Sequence, residues 1–229
     1  MGFLTSFFSP ERLLNLLLTI PCVLFALTFH EFAHGWVANK MGDDTAKNFG
    51  RLTLNPLKHL DIFGTICMIF FSFGWAKPVP INSRKFRNPK WGMALTAAAG
   101  PLMNIIVAFI SAFVFRLLCL VFVNVYPQSD IAANLQQVIL TLFFTFHYLN
   151  LYLGIFNLII PIPPFDGSRI VFIFLPTKWY FGIMKYERYI LIGLLILFWT
   201  GVISVPISGL VSTVSDAMLR LTEIVIPIN

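Results

Sequence analysis

The chain has 229 residues, 58% of them hydrophobic and 11% charged, against about a quarter charged in soluble domains. That balance excludes a water-soluble globular protein and identifies an integral membrane protein, with apolar runs long enough to cross a hydrocarbon layer of about 30 Å as helices. The net charge of +6 has no soluble basic face to carry it, which excludes a nucleic-acid binder.

Only Glu11 and Arg12 precede the first apolar run, which is too long and uninterrupted for a cleaved leader. It reads as the first permanent span, residues 13–37, with Pro21 as a kink and residues 39–42 as the stop signal. A basic stretch follows, with Lys40, Lys47, Arg51, Lys58, Lys77, Arg84, Lys85, Arg87 and Lys90. Inside it, residues 62–73 are apolar but short for a span, which predicts a re-entrant or surface-embedded helix. Residues 77–82, Lys-Pro-Val-Pro-Ile-Asn, predict an extended strand or edge hairpin, because proline cannot donate a ladder hydrogen bond.

The second span covers residues 93–123 and the third 132–160, joined by a turn whose one charge is Asp130. Pro161, Pro163 and Pro164 end the third. A second basic loop carries Arg169, Lys178, Lys185 and Arg188, ahead of a further apolar helix over 189–205. The tail from 207 to 229 reads either as a partial span or as an amphipathic surface helix. The expected fold is therefore all-α and polytopic, one membrane-embedded domain over 1–229. A three-helix core carries additional helices and a small β-hairpin or re-entrant segment between the first two spans. Cys22, Cys67 and Cys119 have no pair at C-x-x-C spacing and read as buried fillers, not as a disulfide or thiolate site. Lysine and arginine crowd the loops after the first and third spans. The positive-inside rule then puts the N-terminus outside and the C-terminal ends of those spans toward the cytoplasmic leaflet of the plasma (inner) membrane.

Chemistry concentrates in His30-Glu31-Phe32-Ala33-His34, the H-E-x-x-H pattern. Two imidazoles four residues apart share a helix face and can grip one zinc ion, while Glu31, about 60° round the helix from His34, can reach a water at the metal. Ionisable groups within an apolar helix are costly unless they pair, ligate or line a wet cavity. A buried histidine–glutamate pair or an ion path is the competing reading. A catalytic zinc needs a third protein ligand if one position is to stay open for water. Asp166 is the leading candidate, because the preceding prolines force extended backbone that can aim its carboxylate into the protein. Taken alone, Asp166-Gly167 could equally be a simple turn. His147, Asn150, Gly154 and Asn157 form one stripe of the third span, and His147 and Asn150 read as helix-to-helix glue. His59 reads as a solvated interfacial residue.

These residues resemble the site-2 protease family of intramembrane metalloproteases, in a compact bacterial branch without a PDZ or CBS domain. The likeness runs from the first span through Gly167. It rests on H-E-x-x-H, on Asn157 to Gly167 as the family's Asn-x-x-Pro-x-Pro-x-x-Asp-Gly-like motif with one extra residue, and on Gly100-Pro101-Leu102-Met103-Asn104 as its Gly-x-x-x-Asn. The resemblance implies one zinc held by His30, His34 and Asp166, with Glu31 as catalytic acid and base. It also places Asn157 beside the metal, where its amide either donates to a developing oxyanion or only packs. Asn104 either contacts substrate backbone or hydrogen-bonds between helices. The implied reaction is hydrolysis of peptide bonds within or near transmembrane helices of membrane-protein substrates held in the lipid bilayer. Two rivals are a divalent-metal or proton transporter, which would favour paired half-helix repeats not found here, and a catalytically inactive family scaffold.

Overall fold

Long apolar runs without internal water must satisfy their own backbone groups, and the chain does so with helices. A computed structural model describes residues 9–71, 75–176, 182–183, 185–200, 202 and 204–227. In chain order the helices are α1 (Pro10–Lys40), α2 (Thr45–Asn48), α3 (Ile62–Phe71), α4 (Pro89–Asn124), α5 (Asp130–Ile159), α6 (Asp166–Val171), α7 (Glu187–Trp199) and α8 (Ser204–Val225). Among the described residues, α1, α4 and α5 are long and apolar enough to cross a membrane, so the molecule is a helical membrane protein.

α1 runs unbroken through Pro21. It stops where Gly42 adopts φ 106°, with Asp43 N–H bonding Ala38 O at 2.9 Å and Gly42 N–H bonding Asn39 O at 3.2 Å. This is the paired closure of a left-handed helix terminus, which glycine adopts without strain. α4 starts with Pro89 in its first turn and the Asn88 side chain capping Trp91 N–H. α5 starts at Ser129, whose hydroxyl caps Ala132 N–H at 3.3 Å.

α1, α4 and α5 pack on one another through buried small residues, Ala26, Ala33, Ala94, Ala97, Ala108 and Ala112 among them. Small side chains let backbones come close where lipid supplies no hydrophobic drive. Polar side chains turn inward between these helices. His147, wholly buried, meets Ala108 O through Nδ1 at 2.8 Å and Ser215 Oγ through Nε2 at 2.9 Å, so it acts as the inter-helix glue the sequence suggested. The tail resolves into α8, which lies lengthwise on α4 and α5 with Ile207 and Val211 in the cluster formed by Ala108, Leu151, Ile155 and Ile160.

The connection between the first two spans differs from expectation. Residues 62–71 form the short helix α3, and residues 72–74 lie outside those described. No strand occurs among the described residues; the only pairing of that kind is one isolated antiparallel bridge between Leu60 and Ala76. The expected hairpin is absent for a physical reason. Pro78 and Pro80 have no N–H to give, and the amides of Val79 and Asn82 are spent elsewhere. Val79 N–H goes to Glu31 Oε2 at 2.8 Å and Asn82 N–H to Asp43 Oδ2 at 2.6 Å. The run over 77–82 thus forms no ladder and is a strap fastened by side chains, Glu31 on α1 and Asp43 just beyond its end. Arg51 fastens it further by donating to Lys77 O and Pro78 O. Asp43 is wholly buried and also accepts from Thr45, so it serves as a hub. The Lys85–Asp44 pair nearby is solvent-exposed and contributes little, although the Lys85 and Asn48 bonds hold the Asp44 carboxyl below its ordinary range. His59 is 2% exposed with Nε2 on Thr53 O at 2.9 Å, which corrects its reading as solvated. The loop folds back on itself around it.

Candidate metal centre

His30 and His34 lie one turn apart on α1, both buried, with ring centroids 4.5 Å apart in an edge-on arrangement. Asp166 arrives from far along the chain. The prolines close α5, Phe165 is extended at φ −71° and ψ 152°, and Asp166 opens α6 with its carboxylate turned toward α1. Its Oδ2 stands 3.0 Å from His30 Nε2 and 3.3 Å from His34 Nε2. Three side chains from two distant stretches therefore meet.

α4 decides which ring nitrogens face that meeting point. His30 Nδ1 lies 2.6 Å from Asn104 Oδ1, and His34 Nδ1 lies 2.6 Å from the Thr96 carbonyl oxygen. Both partners are acceptors, so each imidazole donates from Nδ1 and turns a bare Nε2 lone pair toward Asp166. Asn104 is itself locked, because its amide donates to Ala26 O at 3.2 Å and to Asn150 Oδ1 at 3.0 Å, and Asn150 in turn donates to Phe146 O at 2.8 Å. One chain of hydrogen bonds thus joins all three long spans to His30.

This donor set suits zinc. Two imidazole nitrogens and one carboxylate oxygen lie within 4.8 Å of one another. Ligand atoms on a tetrahedral zinc with bonds of about 2.0–2.1 Å stand about 3.3 Å apart, close to the two separations measured to Asp166. Three protein ligands also leave a fourth position for a reactant, as catalytic zinc requires. Glu31, half-buried, points its carboxylate to the strap at Val79 N–H.

Space at the centre is set by Gly100 on α4. A Cβ there would stand 2.5 Å from both Cε1 and Nε2 of His34 and 2.8 Å from Cε1 of His30. Alanine in place of a helical glycine is ordinarily favourable by about 1 kcal/mol. Gly100→Ala is expected to do the opposite, destabilising by about 1–3 kcal/mol through overpacking and displacing both metal-facing edges. A thermal melt of the variant, with its zinc content measured alongside, checks both.

Of the residues singled out in the sequence, His30, His34 and Asp166 are brought together, with Glu31 beside them in the chain. Asn157 is not joined to them by any hydrogen bond among the described residues: its amide donates to Leu153 O within its own helix at 3.0 Å. Asn104, left open between two roles, touches His30. The contacts of the Thr96 carbonyl, the Val79 amide, Arg51 and Asp43 are not legible in the sequence. Thr96, Gly100 and Asn104 fall four residues apart on one face of α4, a periodicity that could have flagged the wall facing α1.

Comparison with known proteins identifies the family. Residues 18–199 match Peptidase family M50. The chain is 41% identical over 202 residues to a Bacillus subtilis (strain 168) protein described as "Putative zinc metalloprotease YwhC", an alignment covering 87% of this chain and 88% of that one. No solved structure matches the chain. With the H-E-x-x-H helix and Asp166 converging inside the matched region, the chain belongs to peptidase family M50, the site-2 protease family, and is a membrane metalloendopeptidase.

Proposed function

We propose that the chain hydrolyses peptide bonds within or near the transmembrane helices of other membrane proteins, as in regulated intramembrane proteolysis, using one zinc ion per chain held by His30, His34 and Asp166. The observation that carries this reading is the depth of the converging donors. His30 lies ten residues before the end of α1 at Lys40, about 15 Å along the helix axis, so the reaction centre sits within the span instead of beyond it. Residues 1–229 act as one unit on this reading. The Lys/Arg-rich loops orient it with its N-terminus outside and the centre in the cytoplasmic leaflet of the plasma membrane.

When bound, zinc supplies a Lewis acid that polarises the scissile carbonyl and acidifies water. Glu31 takes the proton of the attacking water and delivers it to the leaving amine. Thr96 and Asn104 hold the two imidazoles in the ligating tautomer throughout. A substrate helix must unwind first, because its own i to i−4 bonds shield the carbonyl; the run over 77–82 lies beside Glu31 and is positioned to hold the unwound segment. Asn157 gives one amide N–H to Leu153 O and keeps a second, which can serve a developing oxyanion.

Asn104→Leu keeps the bulk and removes the acceptor at His30 Nδ1. Zinc affinity is expected to fall by about 10–100-fold, read by competition with a chelator. The functional test is co-expression of single-pass membrane proteins with the wild type and with Glu31→Gln, the cut position being mapped by mass spectrometry. A fragment made only by the wild type and ending within the apolar stretch supports the reading. Cuts confined to extramembrane segments, or equal in both strains, overturn it.

A further inference from the structure

Arg51 is a buried cation with no acid beside it. It leaves α2 through a closed turn, in which Gly50 adopts φ 64°, Gly50 N–H bonds Lys47 O at 2.9 Å and Arg51 N–H bonds Ala46 O at 2.8 Å. This is a second left-handed helix terminus, again closed by glycine. Arg51 is 9% exposed, and among the described residues it forms no ion pair. Its Nη2 donates to Lys77 O at 2.5 Å and to Pro78 O at 3.3 Å, while its buried Nε has no partner among those residues. A guanidinium is costly to bury without a carboxylate, so its charge must be met beyond these carbonyls.

The hydrogen bonds lead from Arg51 to an anion. Pro78 O and Val79 N–H are the two ends of one peptide group, and that N–H donates to Glu31 Oε2 at 2.8 Å. Glu31 likewise forms no ion pair among the described residues. The sequence of contacts is guanidinium, peptide oxygen, peptide N–H, carboxylate, with the peptide dipole aligned favourably with both charges. A cation at the carbonyl oxygen polarises the peptide and makes its N–H a stronger donor. Val79 is 6% exposed, so water screens this link little.

We propose that Arg51 is a positioning residue for the catalytic base, acting through the Pro78–Val79 peptide group. With Oε2 held by the polarised amide, the Glu31 carboxylate keeps one orientation and leaves its other oxygen for water at the metal. The proposal rests on Glu31 being the base of the hydrolysis put forward above, and it adds the group that sets that base in place. Fastening the strap and polarising its peptide have separable signatures. The strap is positioned to hold the unwound substrate, so an Arg51 that only fastens it acts on KM, whereas one that acts on Glu31 acts on kcat.

The test compares Arg51→Gln with Arg51→Lys. Both side chains keep an N–H for a strap carbonyl, and only lysine keeps the cation. The full-length wild type, both variants and Glu31→Gln are purified in detergent. Zinc content and melting temperature are measured on each, and cleavage of a single-pass membrane protein identified by the co-expression test is followed over a range of substrate concentrations. Arg51→Gln is expected to lower kcat by about tenfold while KM and zinc content stay within about twofold of the wild type. Arg51→Lys is expected to recover most of that kcat. Equal kcat for the glutamine and lysine variants, a change confined to KM, or loss of zinc and of the folded transition in both would each overturn the proposal and leave Arg51 as a fastener of the loop. Failure of the underlying assignment reads differently, because Glu31→Gln would then cut as fast as the wild type.

Discussion

Glu31→Gln is expected to abolish cleavage while leaving bound zinc unchanged. Glu31 is not among the three converging donors; its carboxylate accepts from Val79 N–H at 2.8 Å. Glutamine has the same shape and still offers an oxygen to that amide, so the strap over 77–82 keeps its fastening and the melting temperature should hold. What glutamine cannot do is accept a proton from water and return it to the departing amine. A positioned general acid–base group contributes about 10²–10⁴-fold, and a peptide bond needs the group twice, so turnover should fall by at least about 10³-fold. Zinc content measured by elemental analysis and cleavage of a transmembrane substrate in detergent, done on the same preparation, separate the two effects. Loss of zinc together with activity would mean that Glu31 holds the metal or the fold, and residual cutting near wild-type levels would remove it as the base.

The same contact explains where sequence reasoning succeeded and where it stopped. The spans were legible because each is a long apolar run, and observed ends such as 89–124 for an expected 93–123 differ by one turn at the start and one residue at the end. His30, Glu31 and His34 were legible because their spacing is local to one helix. Asp166 was reachable because prolines announce the break in α5. The strap was misread as a hairpin because its partners, Glu31 and Asp43, lie 48 and 39 residues away from the amides they accept, and no local pattern records a donor already spent. α8 was ambiguous for a related reason. Its serine and threonine lower its hydropathy, and only the Ser215 bond to His147, 68 residues distant, shows part of that polarity to be internal. Asn104 had an undecided role until the α4 register put its oxygen on His30.

Asp166→Ala is expected to cost the chain its zinc. Zinc sites of four ligands bind with about 10–16 kcal/mol, roughly 2.5–4 kcal/mol for each ligand, so removing one of three protein donors should weaken affinity by about two to three orders of magnitude. The fold, by contrast, should stand. His30 and His34 keep their Nδ1 bonds to Asn104 and Thr96, which do not involve Asp166, and alanine at the first turn of α6 leaves the following backbone free to form. These two expectations give a discriminating measurement, because a ligand that binds only the folded state raises stability by RT ln(1 + [L]/Kd). The wild-type chain, stripped with a chelator, should gain melting temperature as zinc is returned, while Asp166→Ala should melt near the stripped wild type and gain little over the same range. A variant that responds to zinc as the wild type does would remove Asp166 from the metal, and with it the convergence of α1 and α6 on which the proposed hydrolysis depends.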